Sequence, residues 1–131
     1  MSAIYLDSSA FVKLVVREPE SLPLRAFLTA RSPRRVSSAL LRTEAVRAIR
    51  HLGPEPLRSM RAALRRIDLV TVDDGLLDAA GLLEPRVLRT LDAIHLATAL
   101  RLGADLDLVV TYDERMIEGA RLLGLAAAAP A

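Results

Sequence analysis

The sequence predicts an α/β domain whose parallel sheet is covered by helices on both faces. Short strand-like runs alternate with longer segments of helical periodicity, and the strand runs are apolar rather than alternating, as strands buried on both faces are. The length, 131 residues, suits one domain with a core of its own, so the whole of 1–131 is expected as a single domain.

Residues 3–6 (AIYL) read as the first strand, entering Asp7, Ser8 and Ser9, an N-cap signal ahead of an apolar-rich helical segment over 10–16. A helix over 19–30 follows, then a short strand over 35–38 and a helix from about 39 to 52 that stops at Gly53 and Pro54. A helix over 55–66 presents Arg58, Arg61 and Arg65 on one face. The β-rich run 68–72 ends at the capping pair Asp73 and Asp74, ahead of a helix over 75–84 that Pro85 terminates. A helix over roughly 90–102 stops at Gly103, the run 108–112 is the most strand-like in the chain, and a last helix covers 114–123. The tail, residues 125–131, is of low complexity and either closes the fold or frays.

Composition removes several function classes. Hydrophobic residues at 52% and charged residues at 26% are ordinary globular usage, which excludes disordered and fibrous classes. With no cysteine there is no disulfide, thiolate metal site or cysteine nucleophile, so any metal must sit on oxygen or imidazole. No run approaches the ~18 uncharged apolar residues of a membrane span, and Asp7 and Lys13 interrupt the first apolar run. No membrane association and a cytoplasmic location are therefore expected. Charge is unevenly divided: residues 31–66 hold ten arginines against Glu44 and Glu55, a net of +8, whereas 67–131 hold five arginines and eleven acids, a net of −6. Of the 18 basic residues only Lys13 is a lysine, and arginine's planar fork suits phosphate. Biased codon use accounts for such a ratio but not for the clustering.

In open α/β sheets ligands bind outside the carboxyl ends of the strands, so acids there matter most. Asp7 follows the first strand and Asp113 follows 108–112, which puts both at one edge of a parallel sheet, although each also fits a plain helix N-cap. Glu44 falls inside the apolar stripe Leu41, Ala45, Ala48, Ile49 and Leu52, where a carboxylate must be protonated, paired with an arginine or neutralised by a cation. Asp92 shares a helix face with His95, Leu96 and Ala99, with Thr90 the better cap for that helix. Should the four converge, each pair at ~4 Å and an effective dielectric near 20 repels by ~4 kcal/mol, so something positive must fill the gap. Oxygen ligands favour Mg²⁺ or Mn²⁺, a water-activating ion suited to phosphodiester hydrolysis, with the basic half holding the polyanion. Neutral isosteres at each acid are then expected to abolish cleavage while leaving the fold intact or stabilised.

The segments YLDSSAFVKL (5–14), TEAVRAI (43–49), LDAIHLATAL (91–100) and TYDERM (111–116) resemble, in order and spacing, the four acidic motifs of PIN-domain ribonucleases, and are closest to the VapC-type toxins of bacterial toxin–antitoxin pairs. The resemblance runs from Ala3 to about Leu125, with Met116 the one small departure, where many relatives carry an aromatic residue or leucine. It implies a three-layer sandwich with a central, mostly parallel sheet of four to five strands. It also implies a metal-binding and catalytic quartet of Asp7, Glu44, Asp92 and Asp113, with Ser9 and Thr111 as supporting polar groups. The activity it implies is Mg²⁺- or Mn²⁺-dependent endonucleolytic cleavage of RNA, often transfer RNA. A cognate antitoxin would obstruct the site, often with an arginine. A homodimer, and operator DNA bound only through the antitoxin, complete the picture.

Rival chemistries fit less well. A histidine-based ribonuclease needs an acid–base pair, but His95 reads as a packed structural histidine and His51 as a surface one. A phosphoacceptor signalling domain wants a lysine near its last strands, and the single lysine is Lys13; an Asp-x-Asp phosphatase fails at Ser9; no glycine-rich phosphate loop is present. The alternative of another class is a catalytically silent RNA- or antitoxin-binding domain. Four aromatic residues, Tyr5, Phe11, Phe27 and Tyr112, are too few for base stacking to dominate, so recognition is expected to rest on backbone charge and RNA shape.

Overall fold

A computed structural model describes residues 2–31 and 33–131. The chain alternates strands β1 (Ala3–Leu6), β2 (Arg34–Ser38), β3 (Asp68–Val70), β4 (Leu106–Val110) and β5 (Ala127–Ala128) with seven helices: α1 (Ser8–Val15), α2 (Ser21–Arg31), α3 (Leu41–Ile49), α4 (Pro54–Leu64), α5 (Asp74–Gly81), α6 (Thr90–Arg101) and α7 (Glu114–Leu122). All strand pairs are parallel, in the order β3-β2-β1-β4-β5. The direction of strand addition reverses at β1 and β4, which makes their carboxyl ends the switch point where such sheets bind ligands.

Alternation along β1 divides the core into two layers. Ile4 and Leu6 face a cluster with Phe11, Leu24, Leu41 and Met60 from α1 to α4, while Ala3 and Tyr5 face Leu96, Ala99, Met116 and Ala120 from α6 and α7. Helix α5 closes the second layer from outside, packing Leu76 and Ala80 against Ala93, Ile94 and Ala97 of α6. Each large apolar side chain buried this way contributes roughly 1.5–3 kcal/mol. Helix α7 approaches closely because Gly119 has no side chain: a Cβ there would stand 2.8 Å from a Leu88 methyl and 3.0 Å from one of Leu96.

Several boundaries differ from expectation for local reasons. The pairing of β1 with β4 slips by one residue, from Ala3 opposite Leu106 to Ile4 opposite Leu108. Asp107 is thereby left exposed, and Leu106 and Val109 share one face despite their odd spacing. The helix expected over 39–52 ends at Ile49 and tightens into a 3-10 turn over Arg50–Leu52. Of its expected stripe, Leu41, Ala45 and Ile49 are buried, but Ala48 is exposed and Leu52 is 45% exposed. Helix α5 stops at Gly81, three residues early, as the Leu82 and Leu83 amides bond back to Ala79 and Ala80. Thr90 is not a cap: it opens α6, and the cap position belongs to Arg89, with no side-chain hydrogen bond. The low-complexity tail supplies the fifth strand. Gly124, at φ 78°, turns the chain out of α7, and Ala127 and Ala128 register on Val109 and Val110. Among the described residues no helix is long and apolar enough to cross a membrane.

Candidate active site

At the switch point, Leu6 and Val110 lie side by side and the chain leaves both strands into helix starts. Asp7 caps α1: its Oδ1 accepts from the Ala10 amide (3.0 Å) and the Ser9 hydroxyl (2.7 Å), and its Oδ2 accepts from the Thr111 hydroxyl (2.5 Å). Both hydroxyl protons are thus committed to Asp7, and the 3.3 Å contact between Ser9 and Thr111 is secondary. The same two oxygens accept backbone amides from the other side, Tyr112 to Ser9 (2.9 Å) and Asp113 to Thr111 (3.1 Å). Ser9 and Thr111 therefore tie the loop after β1 to the loop after β4. Asp7 is 4% exposed. Burial raises its pKa, with the hydrogen bonds from Thr111 and Ser9 opposing, and the net direction is upward.

Asp113 caps α7 through the Arg115 amide (2.9 Å), so the plain capping reading of both edge acids is correct as far as it goes. Asp92 stands in the first turn of α6. Its pKa is also raised, first by burial and then by the charge of Asp113, with Asp7 adding in the same sense and the Arg89 amide and His95 opposing. Asp92 thus lies within the field of both other aspartates. Asp92 Oδ2 is buried and has no hydrogen-bond partner, the one such side-chain atom among the described residues. A buried carboxylate oxygen left unpaired costs more than ~1–3 kcal/mol, so the site as it stands is stabilised only by something else binding there or by protonation.

Glu44 is brought in from α3 and is paired with His95, not with an arginine as one of the sequence alternatives had it. Its Oε1 accepts from His95 Nε2 at 2.6 Å, with the glutamate side chain 17% exposed and the imidazole 3%. A carboxylate cannot donate, so Nε2 carries the proton. On the far side of the ring, Nδ1 lies 2.6 Å from the Tyr5 hydroxyl. Burial pushes that phenol well above its ordinary pKa, so it stays neutral against the ring. A hydrogen-bonded chain from Tyr5 through His95 to Glu44 holds the carboxylate in place. His95 is a packed histidine, as expected, and His51 is exposed. The link to Glu44 was missed. The available signal was a tyrosine inside an apolar strand, whose hydroxyl must find a partner, and a histidine one turn from Asp92.

Among the described residues none of the four acids pairs with a guanidinium. Nor do any three carboxylate or imidazole side chains, as placed, close a metal shell by themselves. The donor set and the orphaned Asp92 oxygen fit a hard divalent cation held by few protein oxygens and completed by water, the way Mg²⁺ is usually held, and not a cage built entirely of protein.

A PIN domain family model matches residues 4–122. The chain is 58% identical to Ribonuclease VapC46 of Mycobacterium tuberculosis over 130 residues, spanning 99% of both chains. It is 44% identical to Ribonuclease VapC35 of the same species, covering 97% of this chain and 96% of that one. Among solved structures it resembles Mycobacterium tuberculosis VapC20, described as a Sarcin-Ricin loop cleaving toxin, with a TM-score of 0.73 at 18% identity, covering 97% of this chain and 99% of that chain.

Proposed function

This chain belongs to the PIN-domain family and stands with its VapC members, and from that premise we propose that it is an endoribonuclease toxin that hydrolyses RNA phosphodiester bonds with a Mg²⁺ or Mn²⁺ ion held by Asp7, Glu44, Asp92 and Asp113. The observation that carries the reading is the buried, unpartnered Asp92 oxygen within the field of Asp113 and Asp7. When bound, the ion supplies a Lewis acid that acidifies water and offsets negative charge on a phosphoryl group.

The chain's own groups do the rest. Asp7 receives three donors and so keeps a fixed orientation with about one lone pair free. Ser9 and Thr111 supply two of those donors and hold the β1 and β4 loops at one spacing. His95 aims Glu44. The exposed arginines of α3 and α4 offer the RNA backbone a positive surface without reading bases. The kinship with VapC proteins further supports a cognate antitoxin as inhibitory partner, a homodimer, contact with operator DNA only through that antitoxin, and action in the cytoplasm on RNA such as transfer RNA.

Purified protein incubated with mixed RNA in Mg²⁺, then in chelator, tests the reading. Cleavage that needs the metal and leaves no 2′,3′-cyclic phosphate is expected. Chelator-resistant cleavage, or cyclic ends, would instead mean attack by the RNA's own 2′-hydroxyl. Sequencing the RNA ends produced on controlled expression identifies the substrate.

A further inference from the structure

Away from the acidic edge, three guanidinium groups gather around a second concavity. Arg25 of α2, Arg35 of β2 and Arg66 just beyond α4 line a pocket of about 250 Å³, floored by Phe11, Leu14 and Ile67. Arg35 is half-buried at its base and the other two are exposed at its rim. Among the described residues no carboxylate pairs with any of the three. Asp68, the acid of the adjoining groove, is engaged by Arg34 at 3.6 Å. Arg25 is held in place by donating to the Leu14 carbonyl (2.5 Å), which leaves its charge uncompensated. Burial holds the Arg35 pKa below its ordinary value, and the charges of Arg66 and Arg25 push the same way. Like charges held together destabilise a fold unless an anion offsets them, and Asp68, which lines the adjoining groove with Arg35 and Arg66, is engaged by Arg34.

We propose that Arg25, Arg35 and Arg66 form a subsite for one phosphate of a bound RNA chain, remote from the phosphate that is cleaved. The proposal rests on the ribonuclease reading above and names how that enzyme holds its substrate. Three observations suit a nucleic-acid phosphate. All three cations are arginines, whose planar forks match phosphate oxygens. Helix α4, whose Ala63 lines the pocket, carries exposed Arg58, Arg61 and Arg65 on another face, so the surface around the pocket is positive, as a polyanion requires. Its distance also suits a chain: Arg35 pairs in register with Ile4, three residues before Asp7, which at ~3.3 Å per residue is ~10 Å along the strands, a gap that an extended RNA backbone spans.

The test uses the full chain in chelator, so that RNA is bound and not cut. Affinity of a labelled single-stranded RNA is measured by anisotropy across salt concentrations for the wild type, Arg35→Gln and Arg66→Gln. Each variant is expected to bind severalfold more weakly, with a log–log salt slope shallower by about one. Inorganic phosphate is expected to raise the Tm of the wild type and to leave both variants unmoved, and without phosphate Arg35→Gln should melt no lower than the wild type. Exposed Arg66 keeps the test valid should Arg35→Gln fail to fold. Unchanged affinity and slope in Arg66→Gln would overturn the subsite, as would a glutamate-rich peptide that stabilises the wild type where phosphate and RNA do not. Metal-dependent cleavage by the wild type is a separate result, so loss of the subsite and loss of the nuclease reading are distinguishable.

Discussion

Asp7 and Asp73 do the same local job in opposite surroundings. Each follows a parallel strand and caps the next helix, Asp7 through the Ala10 amide at 3.0 Å and Asp73 through the Leu76 amide at 2.8 Å. Asp73 is also gripped by both ends of the Arg101 guanidinium, at 2.8 and 2.9 Å, which lowers its pKa to about 2. Asp7 is buried among hydroxyls with no cation against it, and its pKa rises. Capping therefore does not separate a structural acid from one proposed to hold a metal. What separates them is whether the protein itself supplies the positive charge.

The largest expected effect is on activity. Asp7→Asn and Asp92→Asn should each reduce RNA cleavage by more than about a hundredfold, whereas Asp73→Asn, which keeps the cap, should cleave as the wild type does; cleavage time courses at matched protein concentration check this. Equal losses at Asp7 and Asp73 would erase the distinction.

Stability should divide the site acids further. Replacing Asp92 by Asn relieves burial of a charge with an orphaned oxygen, so the metal-free variant should melt at or above the wild type. At Asp7 the expectation from sequence, that an isostere leaves the fold intact or stabilised, is revised: an amide cannot accept all three donors, and Asp7→Asn should cost about 1–3 kcal/mol by denaturant unfolding in chelator. His95→Phe strips partners from both Tyr5 and Glu44, and about 2–4 kcal/mol of stability should go with them. Its Mn²⁺ affinity by calorimetry should fall about 10–100-fold, an effect transmitted through the aim of Glu44.

Adding Mg²⁺ or Mn²⁺ should raise the wild-type Tm and leave that of Asp92→Asn nearly fixed, because only the wild type has the carboxylate proposed to hold the ion. A shift of equal size in both proteins would place the ion elsewhere.

The smallest effect is the pH slope, and its sign is opposite for the two classes. Asp73 has a depressed pKa, so its contribution is present above the ordinary carboxylate value of 3.8 and is lost as pH falls toward about 2. Asp7 and Asp92 have raised values, so in chelator their cost appears as pH rises above 3.8. Melting curves of Asp73→Asn and Asp92→Asn against the wild type from pH 2 to 7 should diverge in opposite directions.

Much of this was legible in the chain itself. Apolar runs alternating with helical periodicity fixed the sheet as parallel, and that alone sends Asp7 and Asp113 to one edge. Thr111 and Ser9 were reached only through the family resemblance, because a hydroxyl has no periodic signature. Contacts between distant residues left no trace: Tyr5 and His95 are 90 positions apart and His95 and Glu44 are 51 apart. The slip at Asp107 was equally invisible, since one extra residue in a strand looks like any polar residue until its partner strand is known. Ala48 misled because alanine is equally at home on either side of a helix.

The tail has a practical bearing on all these measurements. Ala127 and Ala128 lie in register on β4, and the Tyr112 hydroxyl holds the Pro130 carbonyl at 2.6 Å. Tyr112 is flanked by Thr111 and Asp113, so that hydrogen bond couples the segment after β5 to the loop that carries both. Tyr112→Phe, which gives up the hold on Pro130, is therefore a way to loosen that loop without touching a carboxylate.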